Sequence, residues 1–382
     1  MRLIINASNL VVGGGVQVAV SIIEELKRFR NHTFLVFLST AVKNQIDVSS
    51  FPDNFEFVSF PSPAALKSRR AVVKAMCGCE RAFAPDAVLS VFGPAYWRPL
   101  AVHICGFALP WLIYPESPAH ALLGAREKCR NWLIKKYKWW HFIREVDYIW
   151  CETTDVRDRL VRYYGFSAER IAVISNSHSA HFTPYSAISD RQVSDGIFKL
   201  LTVSAYYPHK NLEVIKQIIP YLSGKLSFCF LLTLPVEVYE SIFDPAERAY
   251  VKTLGPVPAA DCPRLYLETD AVFLPSLMEC FSANYPEAMV MKRPILTSNL
   301  GFAKVLLQGA AVYFDPLDAR DIAEKILELS RNTGLRDNLV EKGLARLAEF
   351  SNSAERASQL LDLCSQASQN SNLTLQRRVP EP

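Results

Sequence analysis

Short apolar runs alternate with amphipathic segments along most of this 382-residue chain. The segment 16–29 has apolar residues at 16, 19, 20, 23, 26 and 29, a spacing that places them on one helix face. A first series of apolar runs predicts strands at 3–5, 34–38, 87–91, 100–104, 148–150 and 171–174. A second series predicts strands at 200–203, 228–232, 271–274, 295–296 and 312–314. Because strands that alternate with helices form covered parallel sheets, the pattern predicts two doubly wound α/β domains.

A stretch rich in Ser, His, Asp and Pro separates the two series at 175–198 and marks the linker. We expect an N-terminal domain at 1–183 and a C-terminal domain at 184–349. A single helix is expected at 350–364, followed by a Ser/Gln/Asn-rich tail at 365–382 that is mostly disordered. Two such domains that face each other form a cleft, and their ligands lie at the carboxyl ends of the strands.

Composition narrows the function classes. Half of the residues are hydrophobic and 21% are charged, which is typical of a globular protein, and the net charge of +4 gives no reason to expect nucleic acid. Nine scattered cysteines lack metal-ligand spacing and fit a reducing cytoplasm. The first apolar run is too short for a signal peptide, and no uncharged apolar stretch of about 18 residues predicts a membrane span.

Glu279 and Glu287 form the most informative pair in the chain. Glu279 lies in the loop after the strand predicted at 271–274, and Glu287 lies in the first turns of the next helix. A helix N-terminus holds phosphate through its backbone N–H groups and its dipole. Carboxylates at such a place suit the hydroxyls of a sugar or a ribose, so the pair suggests a nucleotide sugar. The plainer alternative is that Glu in a first helical turn only stabilises the helix dipole.

Three glycines, Gly13, Gly14 and Gly15, separate the first predicted strand from the first helix. They allow the backbone to approach a ligand and present N–H groups at the helix N-terminus. Val18 stands where a dinucleotide fingerprint requires glycine, so that motif is excluded. A tight βα turn without a ligand is the structural alternative.

The segment 275–289 resembles the retaining glycosyltransferases of family 4, which have the GT-B fold. The family's wording is Pro-Ser, then Glu-Gly-Phe-Gly, then Glu-Ala-Met; Cys280 and Ser282 replace the two glycines here. Segments 254–257 and 309–316 are also similar to the family. Lys210 with Asn211 matches its Lys-Gly or Lys-Asn, while Ser204-Ala205 replaces its Gly-Arg. The resemblance implies two Rossmann-like domains facing a cleft, with a C-terminal helix that crosses back.

The resemblance also implies roles for individual residues. Glu279 would hold the hydroxyls of the donor sugar, Glu287 the ribose, and Lys210 the charge of the leaving diphosphate, with help from Tyr206, Tyr207 or His209 in place of the missing arginine. The implied catalytic residues are Glu279, Lys210 and His103. The implied donor-binding residues are Glu287, Phe281, Ser282, Ala283, Val257, Gly14 and Gly15, with the base near Val257.

The role of His103 depends on where its strand ends. The family often has a histidine at that strand end, but Cys105 or Gly106 could occupy the place instead. A structural histidine is the alternative. No metal and no cofactor are expected, because a lysine and a helix dipole replace the cation; the donor would be a UDP-, GDP- or dTDP-sugar.

The segment 126–144 mixes many cations with aromatic residues. Basic amphipathic helices of this kind lie on anionic membranes, and the family often docks its first domain on a membrane. The residues assigned to membrane or acceptor are Arg130, Trp132, Lys135, Lys136 and Trp139. The alternative is a helix that packs its aromatic residues on the sheet; nucleic acid is a weaker option and is not expected.

These observations predict a retaining, metal-independent glycosyltransferase that moves a sugar from a nucleoside-diphosphate sugar to a glycan or undecaprenyl-diphosphate-linked acceptor. The expected setting is assembly of a surface polysaccharide (O-antigen, capsule or exopolysaccharide), at the inner face of the plasma membrane in the cytoplasm. Two alternatives remain open. One is a sugar-nucleotide epimerase with the same fold, and the other is a non-catalytic, membrane-associated scaffold.

Overall fold

The structure is a computed structural model that describes residues 1–187 and 196–376. Its chain divides into two compact units. The first contains Met1–Ile113, Ala125–Asn176 and the chain from Ser351 onward, and the second contains Tyr114–Gly124 and Ser177–Phe350. The boundary therefore falls at Asn176 rather than at 183, and the short segment Tyr114–Gly124 belongs to the second unit although sequence order suggested the first.

The first unit is built on a seven-stranded parallel sheet, which confirms its predicted fold class. The strand order is β3-β2-β1-β4-β5-β6-β7. The strands are β1 (Arg2–Ala7), β2 (Thr33–Leu38), β3 (Phe55–Ser59), β4 (Ala87–Ser90), β5 (Val102–Gly106), β6 (Tyr148–Cys151) and β7 (Ile171–Val173). All six predicted strands are present. The edge strand β3 was not predicted because its residues are only partly buried and include a glutamate.

The second unit contains a six-stranded parallel sheet, again as predicted. Its order is β10-β9-β8-β11-β12-β13. The strands are β8 (Phe198–Thr202), β9 (Phe228–Leu232), β10 (Val251–Thr253), β11 (Ala271–Leu274), β12 (Ile295–Ser298) and β13 (Val312–Phe314). The unpredicted strand β10 is again at an edge, and Val251 is the one apolar residue among its three.

Helices connect the strands of both sheets. Those of the first unit are α1 (Gly14–Glu25), α2 (Thr40–Lys43), α3 (Arg69–Phe83), α4 (Pro110–Ile113), α5 (Ala125–Glu145) and α6 (Thr154–Tyr164). Those of the second are α7 (Val214–Leu222), α8 (Val236–Ile242), α9 (Cys262–Leu267), α10 (Asn284–Val290), α11 (Gly301–Leu307), α12 (Ala319–Arg331) and α13 (Thr333–Leu347). Each unit has its own core of aliphatic and aromatic residues.

The last helix, α14 (Ser353–Gln376), returns to the first unit, as the fold class requires. It buries Ala357, Leu360 and Cys364 in the core of that unit. The guanidinium of Arg356, 1% exposed, donates to Ser21 Oγ at 2.7 Å and to Asn176 Oδ1. The helix runs past the predicted limit of 364, since its buried face continues to residue 367. The predicted start of the disordered tail at 365 is therefore too early. Residues 377–382 of that tail lie outside the described part.

Both sheets reverse their strand order once. The reversal lies between β1 and β4 in the first sheet and between β8 and β11 in the second. The loops that leave the two strands at a reversal diverge to opposite faces, which opens a place for ligands at the carboxyl ends of the strands. These two places are where candidate chemistry is expected.

Membrane-spanning segments are a separate question. No helix within residues 1–187 and 196–376 combines the length and the apolar character needed to cross a bilayer.

Candidate active site

Lys210 and Glu279 meet at the reversal of strand order in the second sheet. Lys210 ends the short 3-10 turn Pro208–Lys210 that follows β8, and Glu279 lies in the loop that follows β11. The Lys210 ammonium donates to Glu279 Oε1 across this gap of 69 positions in the sequence. Both side chains are mostly shielded from solvent. A lysine and a carboxylate predicted separately are therefore brought together in one site.

The backbone conformation of Asn211 explains why Gly or Asn follows the lysine in the family motif that this segment resembles. Its φ is +56°, in the left-handed region that Gly and Asn adopt most readily. Its Nδ2 donates to the carbonyl oxygen of Pro316 at 2.9 Å, and its side chain is buried. This residue turns the chain sharply after Lys210 and so fixes where the ammonium group lies.

The replaced glycines do not strain the Glu279 loop. Cys280 and Ser282 both lie outside the left-handed region of φ, so a side chain at either position is compatible with the backbone. Both are buried, and Ser282 Oγ lies 3.4 Å from Nδ2 of Asn284. The loop therefore places Glu279 at the site without the glycines of the family wording.

Glu287 lies in the first turn of α10 and is half-buried. The hydroxyl of Tyr266 lies 2.8 Å from its Oε2. Burial raises the pKa of the Glu287 carboxyl to about 7, and the hydrogen bond from Tyr266 opposes part of that rise. Because α10 has only seven residues, Lys210 rather than the helix dipole is the main positive charge of this site.

The remaining predicted donor residues lie around the same loop. Ser282 and Ala283 precede α10 directly, and Ala283 accepts the N–H of Glu287 at 3.1 Å. Phe281 packs its ring against Phe350 at 6.1 Å. Val257 is half-buried in the segment between β10 and α9. Their contacts with a donor stay predictions.

His209 and Ser117 support the loop in ways that the sequence did not predict. The carbonyl oxygen of His209 accepts the N–H of Leu277 at 2.7 Å, which joins the two loops of the site. Ser117 Oγ donates to the carbonyl oxygen of Leu277 at 2.7 Å. Ser117 is distant in sequence and belongs to no recognisable motif, so no signal in the chain could have identified it.

The structure also shows the contacts of Tyr206, Tyr207 and His209, the residues considered in place of the missing arginine. Tyr206 donates its hydroxyl to Glu213, which turns it to a structural partner. Tyr207 stacks on His209, with ring centroids 5.5 Å apart. Burial lowers the pKa of His209, the nearby Glu279 opposes this, and Lys210 reinforces it. Of the three residues considered as substitutes, His209 is the one whose ring is electrostatically linked to the Lys210 pair.

The glycine loop of the first unit lies at the other reversal. Gly13 has a φ of +76°, and Gly14 and Gly15 are the first residues of α1. Nothing lies within 4 Å of the place where Gly14 would carry a Cβ atom. Asn9 closes the base of the loop by donating to the carbonyl oxygens of Phe92 and Pro94. Contact of Gly14 and Gly15 with a donor phosphate stays a prediction.

His103 is placed in the interior of the first unit, which favours the structural alternative. Its side chain is 0% exposed, and β5 continues three residues further to Gly106. Nδ1 lies 2.6 Å from the carbonyl oxygen of Glu145, which only accepts, so Nδ1 donates. Nε2 then accepts from Ser90 Oγ at 2.8 Å, and burial lowers the pKa of the ring to about 4. Since both nitrogens are engaged within the core, the placement gives the catalytic assignment no support.

Helix α5 presents part of the predicted basic aromatic face. Trp132 is 58% exposed and Lys136 lies over its ring, while Arg130 is also exposed. Lys135 lies over Trp111, and its partial burial lowers its pKa. The placement of Trp139 favours the alternative, in which an aromatic residue of the helix packs inside the protein. Its ring lies 3.8 Å from that of Tyr164, because Trp139 is on the side of α5 that packs against α6. Trp140, 49% exposed, takes its place on the outer face.

Two family descriptions match successive parts of the chain. "Glycosyltransferase Family 4" matches residues 12–178, and "Glycosyl transferases group 1" matches residues 198–332. Among curated proteins, the O-antigen chain mannosyltransferase B of Escherichia coli is 24% identical over 208 residues, 51% of this chain and 54% of that protein. The chain thus spans about half the length of the curated relative it matches.

Solved structures share the fold over nearly the whole chain. WaaG, a glycosyltransferase involved in lipopolysaccharide biosynthesis, has a TM-score of 0.72 at 14% identity, covering 95% of this chain and 99% of its own. HepE of Anabaena, solved with UDP-glucose, has a TM-score of 0.71 at 16% identity, covering 96% and 100%. The two family matches together span most of the sequence. The chain therefore belongs to the family 4 glycosyltransferases (glycosyl transferases group 1), a family of retaining, metal-independent hexosyltransferases with the GT-B fold.

Proposed function

We propose that the chain is a retaining glycosyltransferase that transfers a hexose from a nucleoside-diphosphate sugar during assembly of a surface polysaccharide. The observation that carries the proposal is the pairing of Lys210 with Glu279 at the strand reversal of the second sheet, with Glu287 on the adjoining helix. The similarity to an O-antigen mannosyltransferase and to WaaG supports the setting of surface polysaccharide assembly.

Lys210, Glu279 and Glu287 each contact a different part of the donor. The Lys210 ammonium stabilises the charge that develops on the leaving diphosphate. Glu279, whose Oε1 accepts from Lys210, holds hydroxyls of the sugar. Glu287 binds the ribose. Since HepE was solved with UDP-glucose, a UDP-sugar is the first donor to test, followed by GDP- and dTDP-sugars.

The reaction is a substitution at the anomeric carbon on one face of the sugar. The bond from that carbon to the diphosphate oxygen breaks, and a bond to the acceptor oxygen forms on the same face. The acceptor proton passes to the leaving phosphate oxygen. The protein contributes by holding the reactants in place and by stabilising the diphosphate with Lys210.

A donor screen tests the proposal. Purified protein is incubated with UDP-, GDP- and dTDP-hexoses and with lipid extract from polysaccharide-producing bacteria, and free nucleoside diphosphate and glycolipid product are both measured. We expect one donor to give both products in equal amounts. An epimerised nucleotide sugar without acceptor would show the epimerase alternative instead, and donor binding without turnover would show the scaffold alternative.

The acceptor is proposed to be a glycan or an undecaprenyl-diphosphate-linked glycan at the inner face of the plasma membrane. The exposed aromatic and basic residues of α5, such as Trp132, Trp140 and Lys136, support contact with an anionic surface. Sedimentation with phosphatidylglycerol vesicles tests this, and phosphatidylcholine vesicles serve as the comparison. Lys136→Glu should weaken sedimentation, while Lys225→Glu, an exposed charge change in the second unit, should not.

A further inference from the structure

Three oxygen atoms form a chain on the inner side of Glu287. The hydroxyl oxygen of Tyr266 lies 2.8 Å from Glu287 Oε2 and 3.0 Å from Asn284 Oδ1. Asn284 Nδ2 lies 3.0 Å from the carbonyl oxygen of Val203. Because a carbonyl oxygen only accepts, the amide nitrogen must face Val203, and the amide oxygen must face Tyr266.

The number of protons in this chain is the important point. Tyr266 has one hydroxyl proton, and Asn284 Oδ1 is a pure acceptor. If Glu287 is ionised, both neighbours of the hydroxyl are acceptors, and one short oxygen–oxygen contact lacks a proton. If Glu287 is protonated, its carboxyl donates to Tyr266, and Tyr266 donates to Asn284. Only the protonated form of Glu287 therefore satisfies both contacts, and an unmade hydrogen bond in a buried place is unfavourable.

Among the described residues, the titratable groups next to Glu287 do not oppose this preference, and the nearby Arg293 guanidinium donates to the carbonyl oxygens of Tyr266 and Leu267 on α9. Tyr266 is 0% exposed, and Asn284 is 9% exposed. The titratable groups that face Glu287 are Tyr266 and Cys262, both on α9. Burial raises the pKa of each of them, so both are neutral at physiological pH. Burial of Glu287 itself raises its pKa to about 7, in the same direction as the proton count.

We propose that Tyr266 and Asn284 are positioning residues that set the protonation state of Glu287, so that binding of a nucleotide sugar to the protonated form releases the carboxyl proton to solvent. The inference rests on the proposed role of Glu287 in binding the ribose. A ribose hydroxyl brings its own proton and needs an acceptor. When the carboxyl proton leaves, Tyr266 turns its hydroxyl hydrogen to Oε2. The ribose hydroxyl then donates to Oε1, the carboxylate oxygen on the other side from the Tyr266 contact at Oε2.

Two substitutions change the titration of Glu287 in opposite directions. Tyr266→Phe removes the hydroxyl that donates to the carboxylate, so the carboxyl should titrate at a higher pH. Asn284→Ala removes the competing acceptor, so Tyr266 donates to Glu287 alone and the carboxyl should titrate at a lower pH. We expect shifts of about one pKa unit each, the size of one hydrogen bond to a charged group.

The measurement is ¹³C NMR of the full-length protein labelled at the glutamate carboxyl carbon, titrated from pH 5 to 9. Glu287→Gln identifies the resonance. Tyr285→Phe is the matched control. Tyr285 is as buried as Tyr266 and lies on α10 with Glu287, but its hydroxyl lies 3.0 Å from Thr297 Oγ1. It should leave the Glu287 midpoint unchanged. Shifts of both variants in one direction, or no shift, overturn the proposal.

Donor kinetics separate this inference from the proposed function. With the donor identified by the screen, kcat/KM should rise with pH through the Glu287 midpoint and follow it in each variant. At pH 7, Tyr266→Phe should lower kcat/KM by roughly fivefold and Asn284→Ala should raise it by roughly twofold, through KM rather than kcat. If the NMR midpoints shift as expected but kcat/KM does not follow, the proton chain stands and the donor role of Glu287 fails.

Discussion

The two sheets reverse their strand order in the same way, but the side chains near the reversal differ between them. In the first unit, the polar side chains near the reversal bond to one another: Asn6 donates to Ser90, and Ser90 donates to His103. What remains accessible there is backbone, in the glycine loop before α1. In the second unit, Lys210 and Glu279 are held in place but keep some exposure. Similar topology thus supports a buried polar network in one unit and a partly exposed ion pair in the other.

Of the changes that test this comparison, removing the Lys210 charge from the second unit should have the largest effect, and the effect should be on kcat. Lys210→Ala takes away the cation that stabilises the leaving diphosphate, so kcat should fall about 100- to 1000-fold, as for loss of one strong stabilising donor. Steady-state release of nucleoside diphosphate measures it. The exposed Lys225→Ala in the same unit is the control and should keep wild-type turnover. A loss of less than threefold in Lys210→Ala would remove the basis of the proposed chemistry.

The corresponding change in the first unit should affect stability instead of chemistry. His103→Ala removes the acceptor of the Ser90 hydroxyl and one of the two donors to the Glu145 carbonyl oxygen, and it opens a buried cavity. The free energy of unfolding should fall by about 2–3 kcal/mol, measured by urea denaturation. Turnover per folded molecule should stay within about twofold of wild type. A large loss of kcat with unchanged stability would return His103 to the catalytic residues. The exposed His181→Ala should change neither quantity.

A smaller effect is expected from the second carboxylate of the candidate site. Glu287→Ala should raise the donor KM about 10- to 30-fold and leave kcat nearly unchanged, because a ribose contact is made equally in the ground state and the transition state. Saturation curves with the donor from the screen measure both constants. An equal fall in kcat would mean that Glu287 acts on the reacting sugar rather than on the ribose.

The change that is smallest per pH unit is the pH dependence of stability that comes from Glu145. Burial raises the pKa of this carboxyl to about 8 in the folded protein, against 4.5 for a glutamate in water. A raised folded pKa stabilises at low pH, and this contribution is lost as pH rises through the folded pKa. Relative to Glu145→Gln, wild type should therefore lose stability between pH 4.5 and 8, by at most about 1.4 kcal/mol per pH unit.

Urea denaturation of both proteins at several pH values measures this difference. A difference that rises with pH would mean that the folded pKa of Glu145 is lowered, since only a lowered pKa adds stability at high pH. Such a result would weaken the contrast between the units, because the buried carboxyl of the first unit would then also be held in its charged form.

Much of the fold could be predicted because buried strands are short apolar runs. The strand pattern predicted eleven strands, while β3 and β10 were missed because a glutamate interrupts β3 and because β10 has one apolar residue among its three. The return of α14 followed from the family resemblance. Its full length did not, since a helix that buries one residue per turn can remain polar elsewhere.

Less of the candidate site could be predicted. Lys210 and Glu279 were each identified from local motifs, but their ion pair depends on β8 and β11 lying side by side. Tyr266 carries no motif, and its role follows only from the packing of α9 against α10. His103 shows the opposite case: because β5 extends to Gly106, a residue that the sequence suggested for the site lies in the core. Local pattern therefore identifies residue chemistry, while tertiary packing decides which of it is available.

The division of the chain into units has a consequence for protein engineering. The backbone passes from one unit to the other four times, after Ile113, Gly124, Asn176 and Phe350. A chimera that exchanges the second unit as the single block Ser177–Phe350 would leave behind the native Tyr114–Gly124, whose Ser117 supports the Glu279 loop. Donor specificity should therefore be transplanted between family members as two non-contiguous segments, with the recipient keeping its own α14.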